Sequence, residues 1–145
     1  MISSYDESYL SDVQKNLGFF FQFMLCNMNF SPEEAQKKFL ESIIPVQIEM
    51  GNPDFLCGKS GLELAKICLG SADISDKVSE SLSEPYYPQA EYWSGYVLAY
   101  CQWKNAITFA KILSNYSLEL LLSNYNMMHE ADISKINKLI MECVS

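Results

Sequence analysis

The stretch "HEADIS", His129 to Ser134, holds the residues best suited to do chemistry. A His-Glu pair on a helix is the first half of the zinc-hydrolase pattern HExxH, in which two histidines one turn apart hold the metal and the glutamate acts as base. The second histidine would stand at position 133, which is Ile133. His129 is the only histidine in the chain and has no cysteine near it in sequence, so no metal or cofactor is expected there. The plainer reading is a helix start, with Asp132 capping the last helix, Glu130 near its positive end and His129 structural. His129, Glu130 and Asp132 nevertheless define an alternative pocket, one that would serve a small-molecule-binding or enzymatic domain. No serine, cysteine or lysine sits in a nucleophile frame, and Gly51, Gly58, Gly61 and Gly70 do not form a phosphate loop. No catalytic residue is assigned.

Recognition chemistry is better represented. "EYWSGYVLAYCQW", Glu91 to Trp103, places Tyr92, Tyr96, Tyr100 and Trp103 on one helical face, with Trp93 and Val97 beside them. Tyrosine and tryptophan anchor interfaces, because each joins a large apolar ring to a polar tip. The same rings suit the middle of a small helical bundle, where Gly95 would let a second helix approach. The expectation is mixed: mostly core, with two or three rings at an edge. The candidate partner-binding surface is that edge, Tyr92, Trp93 and Tyr96, with Tyr86 and Tyr87 of the neighbouring "EPYYPQ".

The elements that must hold these residues read as helices throughout. Leu10, Val13, Leu17, Phe20 or Phe21, Met24 and Met28 draw an apolar stripe from about Asp6 to Asn27. Phe19 and Phe23 widen it until the second half must be buried on most sides. "SPEE" at Ser31 and "SGLE" at Ser60 are capping boxes, each a serine answered by a glutamate three residues on. Pro45 should kink or break the helix after Ser31, Gly51 should end its continuation, and Gly70 should end the helix after Ser60. Residues from about 71 to 90 are polar and carry Pro85 and Pro88; Ile74, Val78 and Leu82 could support a weak helix there, and otherwise the stretch is a loop. Short helices follow near Thr108–Leu113 and Ser117–Leu122. The last spans about Asp132 to Cys143, with Ile133, Ile136, Leu139 and Ile140 inward. The fold class is all-α, a single domain over residues 1–145 built as an irregular bundle of five to seven helices around a central aromatic-rich helix.

Charge narrows the partners. The net charge is −8, and all ten basic residues are lysine. Nucleic-acid binding needs a basic field to displace counterions from phosphates, so none is expected. The five cysteines include no CxxC pair and are odd in number, which suits reduced, buried thiols in a cytoplasmic protein. The start, "MISSYDESYL", is neither a signal nor a transit peptide, and the apolar run Leu17 to Met28 is far short of the roughly 20 residues that span a membrane. No membrane association is expected.

"GNPDFLCGKSGLELA", "EYWSGYVLAYCQW" and "HEADISK", in that order, resemble an uncharacterised family of small gut-Firmicutes proteins whose members read GNPxxxxGxSGxELA, EYWxGxxLAYYQW and LHEADISKF. The likeness covers most of residues 39 to 138. Where the family has an aromatic and a Gly-Arg turn after QW, this chain has Lys104, Asn105 and Ala106; Asn124, Asn126 and Met127 depart from its MYPTLHEAD run. An arginine-dependent contact in that turn has no counterpart here. The resemblance implies proximity to ADP-ribosyltransferase-like toxins, hence an antitoxin-like or accessory role. Together these readings predict a non-enzymatic module that binds another protein, one of basic character.

Overall fold

The computed structural model describes residues 3–70 and 89–144. Among them there is no strand, and every regular element is helical. A 3-10 turn at Glu7–Tyr9 leads into α1, Leu10–Gln22, which runs on into a π-helical turn at Phe23–Asn27. The expected first helix thus has the right extent and three geometries. Phe20, Phe21, Phe23 and Met24 are all buried across this junction. Asn29, at φ 59°, ends the run.

Ser31 and Ser60 start α2 (Pro32–Glu41) and α5 (Gly61–Leu69) with the two expected capping boxes. In each the glutamate also takes a backbone hydrogen bond from its serine, which holds the Glu34 and Glu63 carboxyls below the usual range. Between them lie α3, Ile44–Glu49, with Pro45 in its first turn, and α4, Pro53–Leu56. Pro45 breaks the helix as expected, and Gly51 at φ 76° and Gly70 at φ 85° end theirs in left-handed geometry.

The aromatic helix is α6, Ala90–Asn105. It is followed by α7 (Phe109–Asn115), α8 (Leu118–Ser123), α9 (Tyr125–Met128) and α10 (Ile133–Val144). Six of these ten helices have seven residues or more, within the expected range, and four are shorter. In α10, Ile136 and Ile140 are buried as expected, whereas Leu139 is exposed. One apolar cluster joins the elements, with Phe39 packed between Phe21 and Phe109 at ring separations of 5.1 and 5.2 Å. Two side chains also cap distant helices. Glu49 accepts from the Phe109 amide and Gln36 from the Leu118 amide, both at 2.8 Å. These bonds satisfy donors that a helix start leaves open.

The most extensive helix contact is α1 against α6. A Cβ on Gly95 would lie 2.3 Å from the Leu17 carbonyl oxygen, and one on Gly18 would lie 2.6 Å from the Tyr92 ring. Small residues therefore let the two backbones touch, and Gly95 has the role its position suggested. At the far end of α6, Trp103 is buried and its indole N–H donates to the Tyr5 carbonyl at 2.8 Å. Gln102 donates to Ser4 Oγ at 3.0 Å, so the start of the chain is tied to the end of α6.

Candidate functional site

The rings of α6 divide differently from a simple core face. Ser94, Gly95, Val97, Leu98, Ala99, Cys101, Gln102 and Trp103 are buried. Tyr92, Trp93 and Tyr100 are half-buried, and Tyr96 is 37% exposed. Of the aromatic line Tyr92, Tyr96, Tyr100 and Trp103, only Trp103 belongs to the core. Small and aliphatic side chains make α6 central, and its tyrosines are displaced to the edge.

At that edge the structure joins two readings that the sequence kept apart. Tyr92, Trp93 and Tyr96 from the first two turns of α6 face Tyr125 and His129 of the α9 turn, and Gln89 closes the end. Together they line an open cleft of about 230 Å³. Trp93 meets Tyr125 edge-on at 5.8 Å, and Tyr125 stacks on the His129 ring at 4.2 Å. On the opposite side Phe19 supports Tyr92 at 5.4 Å, and Tyr92 lies 6.2 Å from Tyr96. The partner surface and the alternative pocket share one wall.

His129 does not stand at the start of the last helix. It closes α9, with its Nδ1 2.6 Å from the Tyr125 carbonyl oxygen. That oxygen can only accept, so Nδ1 carries the proton and Nε2 of a neutral ring keeps a lone pair. Asp132 has the capping role expected of it, accepting from the Ser134 amide at 2.9 Å, and that bond holds its carboxyl below the usual range. Neither Asp132 nor Glu130 lines the cleft. Glu130 is almost wholly exposed, with an oxygen 3.9 Å from His129 Nε2. Tyr86 and Tyr87, and most of the expected 71–90 loop, lie outside the described residues. Tyr125 and Gln89 were not singled out from sequence. Tyr125 stands four residues before His129, the spacing that stacks two side chains on one helical face, and that signal could have found it.

A second concavity, about 270 Å³, lies where the π-helical turn meets α5, between Phe19, Gln22, Phe23, Asn27, Ser60, Gly61 and Leu62. It is the larger of the two, yet it is a seam of the packing. The Ser60 hydroxyl is used in its capping box, and Gly61 sits so close to α1 that a Cβ would lie 2.6 Å from Phe19. Thiol chemistry is dispersed as well: Cys101 is buried and its thiol pushed up to about 12 by desolvation, Cys68 is half-buried, and Cys26, Cys57 and Cys143 are exposed. The expectation of buried thiols therefore fails at three positions. Among the described residues no three histidine, cysteine, aspartate or glutamate side chains converge as metal ligands. None of the described helices is long and apolar enough to cross a membrane.

No protein-family model, curated protein or solved structure matches this chain.

Proposed function

We propose that this chain is a non-catalytic protein-binding module, acting in the cytoplasm, whose contact surface is the cleft between the first turns of α6 and α9. The observation that carries the reading is the convergence of Tyr92, Trp93, Tyr96 and Tyr125 on one open cleft. Partly exposed Tyr and Trp clusters are the anchors from which interfaces draw most of their energy. A net charge of −8 favours a basic partner and would speed its approach. The family resemblance supports an antitoxin-like or accessory role beside an ADP-ribosyltransferase-like protein. An enzymatic or small-molecule pocket at His129 has less support, because neither carboxylate expected to work with it lines the cleft.

The test is capture of a partner by the tagged chain, followed by the same capture with Trp93→Leu and with Tyr96→Ala. Folded variants that lose the partner support the reading. Variants that fold and hold the same partner as tightly as the wild type remove the cleft from it.

A further inference from the structure

The cleft has a chemical bias that narrows its occupant. Its walls are the rings of Tyr92, Trp93, Tyr96 and Tyr125, whose faces carry partial negative charge. One further polar group is His129, whose Nε2 lone pair is left over once Nδ1 donates to Tyr125. Gln89 also lines it, with a side-chain amide that can turn either its oxygen or its N–H group to a ligand. Among the described residues no lysine lines the cleft. The charged residues adjoining it in sequence are both acidic, Glu91 beside Tyr92 and Glu130 beside His129. Such a site rejects anions and suits a cation that is flat, weakly hydrated and rich in N–H donors. Guanidinium meets that description better than ammonium, which is compact and strongly hydrated. Size points the same way. A volume of about 230 Å³ is below the roughly 300–1,000 Å³ that drug-sized ligands occupy, and matches one side chain.

We propose that the cleft of Gln89, Tyr92, Trp93, Tyr96, Tyr125 and His129 receives the guanidinium of an arginine on the protein partner. The inference rests on the binding-module reading and narrows it to one residue type. None of these 145 residues is arginine, so none of them can be the occupant. Stacking on Trp93 or Tyr125 supplies the cation–π term, and His129 Nε2 accepts a guanidinium N–H.

The test follows the two indole N–H resonances of the 145-residue chain during titration with three capped tripeptides, Gly-X-Gly, where X is arginine, lysine or the neutral isostere citrulline. Trp93 reports the cleft, and buried Trp103 is the internal control. The arginine peptide should move the Trp93 resonance saturably and leave Trp103 in place. Lysine should bind more weakly, and citrulline about tenfold more weakly than arginine. Tyr125→Leu should abolish the response while the Trp103 resonance keeps its native position. If that variant unfolds, Tyr96→Ala, which truncates an exposed ring, gives the same comparison. Equal binding of citrulline and arginine overturns the proposal, as does the absence of any saturable Trp93 shift. The broader reading fails separately. A partner captured through the cleft but indifferent to replacement of its arginines sinks only the arginine assignment, whereas capture indifferent to Trp93→Leu sinks the module reading.

Discussion

Helix α6 has two sides built by opposite means. Toward α1 it presents Gly95, and the backbones approach so closely that not even a methyl group fits there. Toward α9 it presents Trp93 and Tyr96 beside an open cleft, with Tyr92 at the boundary, lining the cleft while its ring rests on Gly18 and Phe19 of α1. The first side gains its energy from dense packing and excluded water. The second keeps apolar rings partly wet, a state that folding alone does not favour. Small residues therefore mark the structural side of this helix and large ones the side available to a partner. Aromatic content was a poor guide to burial here, and close backbone approach a better one.

The largest effect expected is on the buried side. Trp103→Ala should cost about 3–5 kcal/mol, since it opens a cavity and leaves the Tyr5 carbonyl without its indole donor. Chemical denaturation would measure it, and a loss below about 1 kcal/mol would mean that this end of α6 is not core.

Gly95→Ala comes next. Its methyl would meet the Leu17 carbonyl, a backbone atom that cannot rotate away, so overpacking of about 1–3 kcal/mol should exceed the gain of up to about 1 kcal/mol in helix propensity. Gly18→Ala sharpens the point. Its methyl meets the Tyr92 ring, which can swing outward, so the stability loss should be smaller. The displaced ring should instead alter binding at the cleft. Equal losses for the two glycine variants would contradict the distinction between the two sides.

A smaller effect belongs to Glu49, on neither side. Desolvation raises its carboxyl above the usual value, and the Phe109 amide opposes that shift in part. A raised folded-state value means that the protonated form suits the fold better. The contribution is fully present below the unfolded carboxyl value and is lost as pH rises through the folded one. Glu49→Gln keeps an acceptor for Phe109 without the charge. It should raise the melting temperature slightly at neutral pH and flatten its dependence across the acid range. Lower stability of the variant at pH 7 would mean that the charge-assisted bond outweighs its desolvation.

The smallest stability effect should be that of Tyr96→Ala, at about 0.5 kcal/mol or less, because the ring is already well exposed. Its effect on partner capture should be the reverse, about tenfold or more. A variant that loses stability without losing capture would place Tyr96 on the structural side.

The helical elements were legible in the sequence because their signals are local. Ser31 with Glu34, Ser60 with Glu63, and the glycines at 51 and 70 act within one or two turns of themselves, and all appear where their chemistry requires. The cleft was legible only in pieces. Tyr92, Trp93, Tyr96 and His129 could each be named, but Tyr125 lies 29 positions after Tyr96 and nothing local says that they meet. The end of α9 decided the rest. α9 ends at Met128, so Glu130 and Asp132 follow His129 outside the helix, Glu130 into solvent and Asp132 onto the start of α10. Local chemistry determined which residues are helical and where each helix stops. Only the Gly18–Gly95 crossing, by setting how α6 lies against α1, decided which of its rings are buried and which face the cleft.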